Sequence, residues 1–261
     1  MIDFSIIVTI KNRREHFVKV FPSLVTQQQP QSYQLLLVDY GSQDDLENSL
    51  KNMIQDYNSL FSDSLRLISR VCVEKDLPFN SGKAKNLGCN FSEGKILSFS
   101  DADVFLGMDY HRHWIQTLSL SHNCFFSSRV QETTKQQSRR LSSKTNYGNM
   151  IVEKSVFLKI GGFDENNPTW GGDDDDIIHR LKLDNYREIN PHNIYESHHT
   201  SILHDDDVRT KFLESTEKNK ELAKDKFEKI YSNNEAKNIN FLSFYNANKD
   251  IVKVENLYER S

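Results

Sequence analysis

Cysteine is scarce in this chain. Only three of its 261 residues are cysteine, Cys72, Cys89 and Cys124. An odd number without metal-ligand spacing excludes a disulfide framework and a zinc finger. Each lies in or beside an apolar segment, so all three are expected to be buried free thiols of a reducing compartment. No apolar run approaches the roughly 20 residues that span a bilayer, and no cationic leader precedes the first strand-like segment. A cytoplasmic protein is expected, with peripheral attachment to the inner face of a membrane left open. Excess charge is lacking too: the formal net charge is -4, and the Lys and Arg residues are scattered instead of striped. That argues against nucleic acid as a partner. There is no internal repeat, and oligomeric state is not legible.

What is present is an alternation. Phe4–Ile10 is short, apolar and β-branched, the pattern of a strand buried on both faces of a parallel sheet. His16, Phe17, Val20, Phe21, Leu24 and Val25 recur at three- and four-residue spacing and predict a helix. Tyr33–Asp39 reads as a second strand, 46–57 as a second helix and 65–73 as a third strand. A helix over 82–92, with Ala84, Leu87 and Phe91 inward, leads to a strand at 96–99 that runs into Asp101-Ala102-Asp103. Such alternation implies a doubly wound α/β sheet, whose ligands sit beyond the carboxyl ends of the strands.

Beyond residue 105 the spacing predicts a helix over 108–120, a strand over 125–130 and a mobile polar loop over 132–146. A short helix over 153–160 should stop at Gly161-Gly162, and 173–183 should be a helix with an acidic first turn. A charged helix from Asp205 to about Tyr231 follows, then an Asn- and Lys-rich end that docks weakly or serves as an interaction tail. The expected organisation is an α/β domain over 1–204 and a helical extension over 205–261.

Three constellations carry chemistry. Carboxylates one residue apart at a strand end, Asp101 and Asp103, can reach a hard cation and a nucleotide ribose together. An isolated D-x-D is common by chance; its place at the switch side of the sheet is what raises it. In the run Asp173 to Asp176, each neighbouring pair costs on the order of 1–3 kcal/mol at an effective dielectric near 20. A helix N-terminus returns only about 0.3–1 kcal/mol per acid, so something else is expected to bind there. Crowding also raises the pKa of one member, which suits a general base. Trp170 offers a face for a sugar ring, and Gly171 and Gly172 allow close approach. Last come His198 and His199, a pair more often structural than metal-bound when taken alone. Lys11 to Arg14 and Gly82 to Asn86 supply cations and amides suited to a diphosphate and base.

In their order, SIIVTIKNRREHF, LLLVDYGSQDD, NSGKAKNLGCNFSEGKILSFSDAD and GGFDENNPTWGGDDDDIIHRL resemble the family 2 glycosyltransferases of the GT-A (nucleotide-diphospho-sugar transferase) fold. The last segment is particularly similar to β-1,4-galactosyltransferases and the bacterial chondroitin-polymerase type, which carry G-G-F-D-E followed by W-G-x-E-D-D-D. The resemblance covers about residues 3–204 and implies a GT-A catalytic domain there. It implies that Asp39 contacts the uracil of a UDP-sugar, with Thr9, Asn12, Arg13, Lys83 and Asn86 also on the donor. It makes Asp101 and Asp103 the DxD pair, Asp103 being the direct ligand of Mn²⁺ or Mg²⁺. Asp174 becomes the catalytic base, and Asp173 an acceptor-binding acid beside Trp170, Gly171 and Gly172. Relatives usually have Glu at the position of Asp173. They also show H-x-x-H where this chain has Glu196-Ser197-His198-His199, so the metal histidine is expected at His199, with His198 the alternative.

The implied reaction moves Gal, GalNAc, Glc or GlcNAc from a UDP-sugar to a hydroxyl of a carbohydrate or glycoconjugate acceptor, inverting the anomeric centre in one displacement, as in polysaccharide biosynthesis. Two alternatives stand beside it. A metal-dependent nucleotidyltransferase would carry a Gly- and Arg-rich loop after the first strand, where this chain has Lys11 to Arg14. A non-catalytic sugar-binding module would not need the intact acidic set.

Overall fold

The computed structural model describes residues 1–121, 123–127, 131–132, 149–166, 172–189, 200–201 and 241–260. The amino-terminal alternation folds as its pattern dictates. Strands β1 (Phe4–Ile10), β2 (Tyr33–Asp39), β3 (Leu65–Val73) and β4 (Ile96–Asp101) are joined through helices α1 (Arg14–Val25), α2 (Leu46–Tyr57) and α3 (Ser81–Phe91). Then come β5 (Val104–Phe105), α4 (Tyr110–Leu120), β6 (Cys124–Ser127), β7 (Gln131–Glu132), β8 (Met150–Glu153), α5 (Lys154–Lys159), α6 (Asp173–Leu183), β9 (Arg187–Ile189) and β10 (Thr200–Ser201). A short helix, α7 (Ser243–Ala247), and a last strand, β11 (Val252–Glu259), end the described chain.

Among the described residues one mixed sheet has the order β11-β3-β2-β1-β4-β8-β6-β9, and β5-β10-β7 form a second, small sheet. β1 pairs in parallel with β2 on one side and with β4 on the other. The chain builds outward from β1 to β3 and then returns to add β4, which sets the topological switch between β1 and β4. The register brings Thr9 opposite Val38 and Asp101, and Ile10 opposite Asp39. The functional strand ends are therefore neighbours by backbone pairing alone.

Period-2 alternation divides each buried strand between two apolar layers. Ile6, Val8 and Ile10 pack with Phe17, Val20, Phe21, Leu50 and Leu118 on one face. Ile7, Leu36, Val38 and Phe99 pack with Ala84, Leu87, Phe163, Ile177 and Leu181 on the other. Each large apolar chain buried this way contributes about 1.5–3 kcal/mol. Gly88 sets how close α3 comes to the sheet: a Cβ there would stand 2.4 Å from Ile7 Cγ2.

The carboxyl-terminal end departs from expectation. Far from a weakly docked tail, 252–259 forms the outer strand of the main sheet, antiparallel to β3, with a register irregularity between Asn256 and Tyr258. The physical reason is that β3 is apolar along most of its length and would otherwise expose an unpaired edge. The extension expected over 205–261 thus ends inside the sheet of the α/β domain. β8, absent from the sequence reading, lies antiparallel between β4 and β6. Gly161 and Gly162 do end α5, with φ of 85° and 67°. The loop expected over 132–146 lies outside the described residues apart from Glu132, and the helix over 205–231 lies wholly outside them. Cys72, Cys89 and Cys124 are free, with Cys72 only half-buried. No described helix is long and apolar enough to cross a membrane.

Candidate active site

β4 delivers Asp101 to the carboxyl end of the sheet at the switch point, and Ala102, buried, keeps Asp103 beside it. Facing them is the start of α6, whose N-cap Gly172 holds φ 79°, a left-handed conformation in which glycine is unstrained. Between the two acidic segments lies a cation that the sequence reading had placed only within a basic stretch. Lys85 of α3 keeps 2% of its side chain exposed, with Nζ 3.1 Å from Asp174 Oδ1 and 3.5 Å from Asp173 Oδ2. The same ammonium stands 4.8 Å from the centre of the Phe163 ring. Its position follows from the helix, because Lys85 precedes Gly88 and Cys89 by three and four residues and so shares their sheet-facing side.

The electrostatics follow from this crowding. Asp101 is raised to about 8, first by burial and then by the charges of Asp103, Asp174 and Asp173, with Lys85 opposing. Asp174 is raised to about 7, again first by burial, with Lys85 opposing and Asp173 and Asp175 adding to the rise. Lys85 itself is held well above the usual lysine value: burial lowers it, but Asp174, Asp173 and Asp101 outweigh that.

The four-aspartate run is less bare than its sequence implies. Asp176 accepts from Arg180 Nε at 3.0 Å and from Nη2 at 2.6 Å, one turn along α6. Arg180 also donates to Ile160 O at 2.8 Å and Gly162 O at 2.7 Å. Part of the charge of the run is thus balanced from within the protein. Lys85 serves Asp173 and Asp174 from inside, and Arg180 serves Asp176. Asp174 keeps 22% of its side chain exposed, and Asp175 is exposed.

On the expected donor side, Asp39 is 1% exposed. Its Oδ2 accepts from Arg70 Nη2 at 2.7 Å and Nε at 3.3 Å, and its Oδ1 accepts from the Ser42 amide at 2.9 Å. Asn12, at φ 51°, receives the Gln43 amide on Oδ1 at 2.7 Å and donates its own amide to Ser42 Oγ at 3.1 Å. Asp39 and Asn12 thus grip the turn after β2 from two sides. Arg13 is the residue before α1, and Thr9 is buried next to Asp101 in the sheet register.

Two expected donor residues prove to have other partners. Asn86 is fully buried, donating to Phe163 O at 2.9 Å and Glu165 Oε1 at 3.0 Å and accepting the Phe163 amide at 2.9 Å. Both amide hydrogens are used, so it braces the Gly162–Glu165 turn and has none left for a nucleotide. Lys83 lies over the Phe244 ring, 5.7 Å from its centre. Glu165, the last residue of the G-G-F-D-E stretch, accepts from the Leu242 amide at 3.0 Å, Ser243 Oγ at 2.8 Å and the Phe244 amide at 2.7 Å. It clamps the carboxyl-terminal segment to the turn that leads toward α6.

Trp170, Gly171, His198 and His199 lie outside the described residues. Among the described residues no three Asp, Glu, His or Cys side chains converge as a ready-made metal cage. The donor set at Asp101 and Asp103 is nonetheless all oxygen. Asp101 also lies near Asp173 and Asp174, which share the ammonium of Lys85. The all-oxygen set fits a hard divalent ion of the kind held by one or two carboxylates plus substrate phosphates.

Residues 5–124 match the family model described as glycosyltransferase like family 2, and residues 129–205 match that of the N-terminal domain of galactosyltransferase. No curated protein sequence matches the chain. Among solved structures it is similar to S. aureus TarS 1–349 in complex with UDP, at TM-score 0.58 and 17% identity, covering 77% of this chain and 61% of that one. It is similar to the mannosyltransferase PcManGT from Pyrobaculum calidifontis in complex with GDP-Man and Mn²⁺, at TM-score 0.58 and 14% identity, covering 78% and 57%. GalNAc-T7 with UDP, GalNAc and Mn²⁺ follows at TM-score 0.60 and 14% identity, covering 79% and 44%. At such identities the structures testify to the fold, and the activity class comes from the two sequence models. Successive along the chain and laid on one GT-A sheet, those two matches place this chain with the GT-A glycosyltransferases of the family 2 type, and it spans 61% of the TarS 1–349 structure it resembles.

Proposed function

We propose that the chain transfers a hexose from a UDP-sugar to a hydroxyl of a carbohydrate or glycoconjugate acceptor, with inversion. The observation that supports this best is the gathering of Asp101, Asp173 and Asp174 around Lys85 at the switch point, with Asp103 beside Asp101. TarS and GalNAc-T7 have UDP in their solved structures, whereas PcManGT has GDP-Man. The donor base therefore belongs in the test.

In this reading Thr9, Asn12, Arg13 and Asp39 shape the nucleotide end of the cleft. Asn12 and Asp39 act through the turn they already hold. Asp103, with Asp101 beside it and a histidine at His199 or His198, would hold Mn²⁺ or Mg²⁺. When bound, that ion offsets the charge that the departing diphosphate gains. Asp173, with Trp170, Gly171 and Gly172, would orient the acceptor. Asp174 accepts the proton of the acceptor hydroxyl as that oxygen forms its bond to C1 of the sugar. The bond from C1 to the diphosphate oxygen breaks on the opposite face, and the nucleotide diphosphate leaves with the electron pair. No protein nucleophile takes part, hence inversion. The raised pKa of Asp174 suits this role, since a base works best when its pKa lies near the working pH.

The test is a screen of UDP-Gal, UDP-GalNAc, UDP-Glc, UDP-GlcNAc and GDP-Man with Mn²⁺, reading released diphosphate with and without simple sugar acceptors. Release from one UDP-sugar, increased by an acceptor, is expected. Silence with every donor would leave a binding module, and pyrophosphate as the product would mark a nucleotidyltransferase.

A further inference from the structure

The transferase reading gives Asp174 a task but does not say what holds its carboxylate in place. A side chain on the first turn of a helix has free rotamers unless something fixes it, and loose catalytic groups are costly. A displacement of about 1 Å can cost on the order of 10²-fold in rate. Lys85 is the one described cation within hydrogen-bond reach of Asp174. It comes from a different element, α3, held against β1 by the close approach at Gly88.

We infer that Lys85 is the positioning residue of the catalytic base: its ammonium fixes Asp174 through Oδ1, so that Oδ2 is the oxygen presented to the acceptor hydroxyl. The inference rests on the transferase reading for the base's role, but the pairing itself stands on geometry. Nζ is 3.1 Å from Asp174 Oδ1, and its second carboxylate, Asp173, is at 3.5 Å. The Phe163 ring closes another side at 4.8 Å. With 2% of its side chain exposed, Lys85 has little room to swing toward solvent or to reach out as a substrate-binding arm. Asp174, at 22%, is the more open partner and the one an acceptor can reach. The groups facing Asp174 are thus Lys85 from α3, Asp101 from β4, and Asp173 and Asp175 from its own helix. Lys85 alone among them bears positive charge.

Arginine and methionine separate positioning from mere packing. Lys85→Met keeps an unbranched apolar side chain of similar length and removes the charge, whereas Lys85→Arg restores a donor with altered reach. Both variants are first compared with the wild type for UDP affinity in Mn²⁺ by calorimetry, then for turnover of the donor found active. Expected are an unchanged UDP affinity for Lys85→Met with kcat down by about 10²-fold, little change in acceptor KM, and partial recovery of kcat in Lys85→Arg. Wild-type turnover in Lys85→Met would overturn the inference. A second measurement is independent of activity: a thermal-unfolding cycle of Lys85→Met, Asp174→Asn and the double variant. Pairing predicts that the double variant is clearly more stable than the sum of the singles allows, and additive effects would refute it. Should the wild type turn over no sugar, the transferase reading fails and this cycle decides the pairing by itself. Should Lys85→Met not fold, the Lys85→Arg rate and a cycle built on Lys85→Arg decide it.

Discussion

Arg180 and Asp176, one turn apart on α6, are joined by two hydrogen bonds, with side-chain exposures of only 3% and 8%. The rest of the guanidinium reaches the carbonyls of Ile160 and Gly162. The pair therefore locks the helix that presents Asp173 and Asp174 onto the turn after α5. Arg180→Met would leave Asp176 buried and unpaired, a change that typically costs about 3–5 kcal/mol. Denaturant unfolding should show that loss, and combining it with Asp176→Asn should recover part of it. A loss below about 1 kcal/mol would mean that the pair is a surface-like contact.

The carboxyl-terminal strand is predicted to be indispensable. Removing residues 241–261 strips β11 from β3 and takes three donors from buried Glu165. A freed apolar edge and a buried carboxylate short of partners both disfavour the monomer. The truncated chain should precipitate or elute as aggregates on size exclusion. A soluble monomer with wild-type melting would show that the segment only rests on the domain.

How much of this was legible depends on range. β1, β2 and β3 are apolar runs of seven to nine residues, and their bounds follow from composition alone. β8 has four residues and β9 three, too short for a period to emerge. β11, with Lys253, Glu255 and Asn256 interleaved, looks like a polar tail until β3 is known to need a partner. The carboxylates of the site stood out because acidic residues at strand and helix ends are a local pattern. Their cations did not. Arg180 follows Asp176 by four residues and was within reach of helix spacing, whereas Arg70 meets Asp39 only through the pairing of β2 with β3. Lys85 lies in a basic stretch where local pattern does not separate it from Lys83. Only the packing of α3 shows which member of that stretch faces the carboxylates.

Stability should respond to pH and to metal together. Asp101 and Asp174 are raised to about 8 and about 7, with burial the first cause for both. Both therefore bind more protons folded than unfolded. The stability they lend is complete below the unfolded value of about 4 and is lost as pH rises through 7 and 8. In EDTA, unfolding free energy should fall between about pH 5 and pH 8.5, and Asp101→Asn should flatten that fall. Mn²⁺ should stabilise the wild type more at the higher pH, where the carboxylates are ionised. An unchanged slope in Asp101→Asn would remove this carboxylate from the charge cluster.

Calorimetric titration with UDP addresses the metal separately. If Asp103 holds an ion that bridges to the diphosphate, affinity in Mn²⁺ should exceed that in EDTA by at least about tenfold, and Asp103→Asn should erase the difference. Equal affinities in both buffers would take the ion out of donor binding.

The central claim is that Asp174 is the general base of a nucleotide-sugar transfer, and Asp174→Asn tests it most directly. The amide is nearly isosteric, and donor binding is proposed to rest on other residues: the metal carboxylates Asp101 and Asp103, and the turn held by Asp39. UDP affinity in Mn²⁺ should therefore match the wild type while transfer to an acceptor falls by about 10²–10⁴-fold, the usual contribution of a positioned acid or base. Asp175→Asn, altering a surface carboxylate, should retain most of the rate. Wild-type transfer by Asp174→Asn alongside an inactive Asp173→Asn would contradict the account and move the base one residue along α6.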